Sequence, residues 1–264
     1  MTTIASSRRS FLAAAIVSLT ALSAAYTTEA ATVTWGAATN IAADTDVSTT
    51  GTLVDAFNMG GAGGPAVATT VNGVNFQAFN VPFPGVTTFT VGNYTLANAS
   101  GVLASGNTSD PAAPFSALSA NYQSLLGTEA GSGVGPVPIT LTMAGLTVGQ
   151  SYTFQFWANY SNISGNSGGV TATAGNSVGL DYNTTNAHGG LGQFAIGTFI
   201  ADNASQQISF NAGVISPTFI NGFQLRTTGA IGTAVPEPGS ALVGLMVLGL
   251  CGTRLGRRQR AAQG

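Results

Sequence analysis

The chain has no lysine, one cysteine and one histidine among 264 residues, and only 6% of its side chains are charged. Each shortage excludes something. A lone cysteine, Cys251, rules out a disulfide within the chain. One histidine and one cysteine cannot supply the nitrogen and sulfur ligands of a zinc centre. Between residues 31 and 235 the only basic side chain besides His188 is Arg226, against seven acids (Asp44, Asp46, Asp55, Asp110, Glu129, Asp181, Asp202), a formal charge of −6. A surface for phosphate backbones cannot be built from one arginine, which excludes nucleic acid as a partner.

What is present is neutral polarity. Thr, Ser, Asn and Gln replace charge, 36 glycines punctuate the chain, and 44% of residues are apolar. Disorder couples low hydrophobicity to high charge, so this composition predicts a folded domain. Glycine turns between β-branched and aromatic runs favour strands, and the scarcity of Lys and Glu argues against exposed helices.

The remaining arginines lie at the two ends. Arg8 and Arg9 precede an apolar stretch from Phe11 to Ala25, too short to span a bilayer, followed by small residues. This predicts an export signal over 1–30, cut before Ala31 (Thr28 and Ala30 at −3 and −1) or after Ala25. Arg8-Arg9-Ser10-Phe11-Leu12 resembles the twin-arginine signal, with Ala13 where a lysine is usual. Either the twin-arginine or the general export translocase is the partner implied.

At the other end Val235-Pro236-Glu237-Pro238 precedes a short apolar run, a candidate transmembrane segment over 240–253, and then Arg254, Arg257, Arg258 and Arg260. About 15 apolar residues is marginal for a span that needs roughly 20. The arginines hold the far end on the cytoplasmic side, and the prolines keep the approach extended and accessible. These three features, in this order over 235–260, resemble the PEP-CTERM sorting signal of Gram-negative bacteria. The resemblance implies an exosortase-type processing enzyme, cleavage near the Pro-Glu-Pro motif, and a cell that makes exopolysaccharide. Transient membrane anchoring, then the cell surface or matrix, is the expected destination.

The stretch 31–226, followed by a linker over 227–234, reads as one all-β domain, a β-sandwich or jelly roll. Asn72-Gly73 between apolar runs predicts a type I′ hairpin, and Gly175-Asn176 a second. In Y-T-F-Q-F-W-A-N-Y, Tyr152, Phe154, Phe156 and Tyr160 alternate with Thr153, Gln155, Trp157 and Asn159, which leaves one face available to solvent. Further strands are expected at T-V-T-W, P-I-T-L-T-M, G-Q-F-A-I-G-T-F-I, Q-Q-I-S-F-N and F-I-N-G-F-Q-L-R. One helix is expected at S-A-N-Y-Q-S-L-L-G, capped by Ser119 and ended by Gly127 at C′. The segment Gly60–Pro65 is expected to be a flexible loop. G-L-T-V-G-Q-S-Y-T-F-Q-F-W and the closing I-N-G-F-Q-L-R resemble the galactose-binding-like jelly rolls used as carbohydrate-binding modules.

Candidate chemistry in the domain is sparse. Trp35 and Trp157 are the side chains that would stack on sugar rings if exposed. Asp44 and Asp46 offer oxygen ligands for a structural Ca²⁺. His188 would need Asp181 or Asp202 to form a triad, and no G-x-S-x-G elbow presents a nucleophile. Asp181 with Asp202 is the most available carboxylate pair for glycoside hydrolysis. The sequence thus favours a noncatalytic surface or matrix protein, then a carbohydrate-binding module, then distantly a hydrolase.

Overall fold

A computed structural model describes residues 30–229 apart from 83, 84, 134, 166, 214 and 215. The export segment with Arg8, Arg9, Phe11 and Leu12, and the tail from Val235 to Arg260, lie outside the described residues. Within them the chain is almost entirely β, with one short α-helix and two 3₁₀ turns.

The aromatic strand Ser151–Ala158 lies inside an eight-stranded sheet, between Gln193–Ile200 and Gly222–Thr227, antiparallel to both. Its alternation is as read, but neither face meets water. Tyr152, Phe154 and Phe156 enter one apolar cluster, and Trp157 enters another with Phe76, Phe194, Leu125 and Leu126. The expectation of a solvent-facing side is therefore corrected: helix and loops cover it.

That second burial also hid a strand. Thr52–Gly61 pairs with Gly222–Thr227 and, in parallel, with Val74–Val81. From Ala56 to Gly61 every residue is buried, so it lacks the alternation that marks a half-exposed strand. Gly60 and Gly61, expected in a flexible loop, end this strand. A Cβ on Gly61 would lie 2.4 Å from the Val81 carbonyl oxygen, so only glycine permits the approach. The Asn72-Gly73 hairpin forms as expected, with φ of 47° and 76° at its two turn residues.

A six-stranded sheet packs against the first. Its order is Asn176–Asp181, Gly169–Ala174, Ser205–Ala212, Ile139–Ala144, Tyr94–Ala97 and Thr88–Val91, all antiparallel. Rings close the space between the sheets: Phe156 meets Phe210 at 5.2 Å, Phe57 meets Tyr94 at 5.0 Å, and Phe79 meets Phe89 at 5.2 Å. This makes the domain an all-β sandwich.

The helix spans Ala120–Leu126, and the Ser119 hydroxyl accepts the Tyr122 N–H. Gly127 has φ −86°, so it ends the helix without the left-handed turn expected of it. The closing F-I-N-G-F-Q-L-R does not form one strand. Phe219–Ile220 joins a small sheet with Thr128–Ser132 and Leu103–Asn107, and Gly222–Thr227 returns to the first. The break is Asn221, whose amide donates to the Thr108 hydroxyl and to the carbonyls of Leu126 and Thr128.

Trp157 is fully buried and its indole N–H donates to the Tyr122 hydroxyl at 3.0 Å. Trp157→Ala should therefore destabilise the domain by about 3–5 kcal/mol. Urea unfolding of the full chain would read this as a lowered midpoint; an unchanged midpoint would mean the second cluster carries no stability.

Candidate functional site

The side chains singled out in the sequence do not converge on one place. Trp157 is a core residue and offers no ring to a sugar. Trp35 is half-buried, edge-on to Phe156 at 5.6 Å and to Phe154 at 6.3 Å, and its N–H donates to the Asn176 carbonyl. It lies over Gly197, where a Cβ would stand 2.6 Å from its ring. Trp35 thus seals the edge of the sandwich, and the two tryptophans are not a stacking platform.

Asp44 and Asp46 form a 3₁₀ turn and are already engaged. Asp46 accepts from the Ala42 and Ala43 N–H groups at 2.7 and 3.0 Å and from the Tyr122 hydroxyl at 3.2 Å. Asp44 accepts from Ser119 at 2.7 Å. The Trp157–Tyr122–Asp46 relay ties this turn to the core. Burial, with the Asp46 charge second, holds the Tyr122 phenol well above its ordinary range, so it stays a donor. Among the described residues no group of three or more His, Cys, Asp or Glu side chains is placed to hold a metal ion.

Asp181 and Asp202 are held apart. The Asp181 N–H donates to Gln193, at the start of the strand Gln193–Ile200, while Asp202 follows its far end. Eight residues of strand span roughly 24 Å, against the roughly 5–9.5 Å between carboxylates that glycoside hydrolysis requires. The pairing expected for a hydrolase is not formed.

His188 takes neither of the expected aspartates. Its Nδ1 lies 2.9 Å from Asp110, a residue remote in sequence, with the His188 side chain 60% exposed and that of Asp110 8%. Sequence spacing carried no signal of this pair, because loops 107–118 and 183–191 meet only in the folded chain. The Ala112 N–H, and then His188, hold the Asp110 carboxyl below its usual range.

Glu129 is the residue the sequence passed over. It pairs with Gly106 across the small sheet, and its carboxyl lies where a Gly106 side chain would be. Burial pushes it up to about 8, although part of its surface still reaches solvent.

At the opposite pole lies an open cleft of about 760 Å³, lined by Thr32, Thr34, Ser151 and Thr198, by Asp202, and by the stacked Tyr152–Phe199 pair. Ala31 and Gly229 line it too, so the two ends of the described chain emerge together there.

No protein-family model matches the chain, and no curated protein matches it. Two solved structures are similar at 12% identity. One is the ANX2 ectodomain from Arabidopsis thaliana, with a TM-score of 0.30, over 70% of this chain and 52% of that one. This chain therefore spans about half of that ectodomain. The other, described as carbohydrate-binding modules from the β-sandwich superfamily with promiscuous specificity, has a TM-score of 0.26 over 75% of this chain and 96% of that one. The assignment of a sandwich rests on the strand pairing and inter-sheet packing above.

The two shifted carboxyls predict opposite pH effects. Asp110 is lowered, so its stabilisation is present above the unfolded carboxylate range of about 4 and is lost as pH falls through its folded value. Asp110→Asn should lower the melting midpoint at pH 7 and converge with the wild type as pH falls below that range. Glu129 is raised, so stability falls as pH climbs from its unfolded value through about 8. Glu129→Gln should melt higher than the wild type at pH 9 and alike at pH 4. Parallel melting curves across pH would contradict either assignment.

Proposed function

We propose that this chain is an exported, noncatalytic β-sandwich protein, sorted through its C-terminal tail to the cell surface or exopolysaccharide matrix, where it has a structural or adhesive role. The observation that carries the reading is the placement of the domain's ends. Ala31 and Gly229 line the same cleft at one pole, so a tail continuing from Gly229 starts there. A domain tethered at that pole presents its other pole and its flanks outward while an exosortase-type enzyme acts on the Pro236-Glu237-Pro238 segment.

The composition supports the same destination. A domain with one arginine, no lysine and no cysteine between residues 31 and 229 needs neither a reducing compartment nor salt bridges to fold. Apart from Arg226 and Asp110, its buried polar side chains are amides and hydroxyls, as the Asn221 and Asn159 contacts illustrate. The noncatalytic reading draws on the separation of Asp181 from Asp202 and on a lone histidine held at a loop surface by Asp110.

Replacing Pro236 and Pro238 with alanine should leave the full-length chain in the cytoplasmic membrane of cells that carry the processing enzyme. The unsubstituted protein should instead be recovered ending near Glu237. Intact-mass analysis of both forms decides it. Native protein that keeps Arg257 to Arg260, with the variant behaving alike, would make the tail an ordinary anchor.

A further inference from the structure

The outward face of the six-stranded sheet carries no charge on its strands except Asp181 at one corner. Across its six strands one rank reads Thr88, Ala97, Thr140, Ser209, Thr173, Ser177, in register. A second rank runs beside it on four strands as Thr90, Thr95, Thr142 and Gln207. Asn211 and Thr171 extend the face beyond them. The sequence carries this as three Thr-x-Thr strands, Thr88–Thr90, Thr140–Thr142 and Thr171–Thr173, whose intervening residues point inward. Asp181, at one corner, is the only ionisable side chain on these strands that is exposed.

Two further facts set this face apart. The central strand Ser151–Ala158 of the first sheet is covered on both sides by apolar clusters, whereas this face has no layer over it among the described residues. The Thr90 and Thr95 hydroxyls bond to each other at 2.9 Å. The side chains of Thr140, Thr142, Thr171, Thr173, Ser209 and Asn211 make no hydrogen bond within the described residues. Elsewhere Asn58, Asn159 and Asn221 are spent on internal networks.

We infer that this face is a docking surface for a neutral polysaccharide. The chemistry narrows the partner by elimination. Stable protein interfaces are anchored by aromatic residues and arginine, and the face has neither. Anionic glycans and phosphates call for cations, and the face has none. An uncharged polyol matches in charge and in its mixed donor–acceptor hydroxyls. Adjacent strands place hydroxyls about 4.8 Å apart, and alternate residues about 6.7 Å apart, spacings of the order of one pyranose ring. A single hydroxyl contact wins little against water. A lattice of them on β-branched side chains with restricted χ1 loses little rotamer freedom on binding and engages many contacts at once. Sheets twist by about 20–25° per strand, which suits a chain that can follow the twist better than a flat ice plane.

The inference rests on the reading of the chain as a noncatalytic matrix protein, and the experiment separates the two. The full chain, in a polyoxyethylene detergent that carries no sugar, is sedimented with amorphous cellulose, curdlan, mannan and alginate. Retention on at least one neutral glycan is expected. The combined Thr140→Val, Thr142→Val, Thr173→Val and Ser209→Ala substitution keeps strand propensity and should weaken it roughly tenfold or more. Thr198→Val, an exposed threonine of the first sheet, should change nothing. Should the combined variant fail to melt cooperatively, Thr142→Lys alone should show the loss. Neutral-glycan binding that survives these substitutions overturns the face and leaves the matrix reading standing. Binding to alginate alone, thermal hysteresis abolished by the substitutions, or an oligomer that they dissociate each overturns it in favour of another occupant. Retention on none of the neutral glycans overturns it outright.

Discussion

The central strands of the first sheet, Ser151–Ala158 and Gly222–Thr227, are buried on both faces, and every polar group there must find its partner inside a nearly uncharged chain. An unpaired buried amide costs about 1–3 kcal/mol, so this constraint governs what surrounds the sheet. Gln155 and Gln224, opposite each other on adjacent strands, bond at 2.6 Å and reach across to Asp46 and Ser48. Among the described residues Arg226 has no carboxylate partner. Its guanidinium donates to the carbonyls of Thr49, Thr50 and Gly51 and to the Gln224 side chain. Burial lowers its pKa, yet an arginine stays charged in proteins. Those bonds fasten the 46–51 segment over the sheet, with the apolar Val47 tucked beneath it.

Asn221 answers the same constraint at the other pole. There the chain leaves the small sheet and enters the large one, and a break in strand pairing would leave backbone groups bare. The Asn221 side chain binds the Asn159 N–H and the carbonyls of Leu126 and Thr128, and its own N–H donates to the Trp157 carbonyl. Helix end, central strand and small sheet meet on one amide. Apart from Arg226 and Asp46, these bonds join neutral groups, and the His188–Asp110 pair is peripheral.

This arrangement also decides which polar residues remain for a partner. The amides of Gln155 and Gln224 on the doubly buried central strands are used internally. Most of the amides and hydroxyls facing outward on the second sheet are not, and because the chain has no lysine and few acids, Asp181 at one corner is the one exposed charge on these strands. Charge-poor composition, which reads at first as an absence of function, becomes a property of a face once the strands are in register.

The sequence by itself determined the strands with clean alternation, the Asn-Gly hairpin, the Ser119-capped helix and the scarcity of charge, because each follows from local spacing or composition. It did not reveal Thr52–Gly61, whose buried second half has no period, nor the break at Asn221, which depends on three segments distant in sequence. Trp35 and Trp157 carry the same chemistry in the sequence. Only packing decided that one is core and the other a seam, because burial depends on what covers a face. The pairing of His188 with Asp110 rather than Asp181 or Asp202 was likewise decided by two loops meeting. The Thr-x-Thr strands were visible as words from the start, but their alignment into ranks is a matter of register, which only non-local pairing sets.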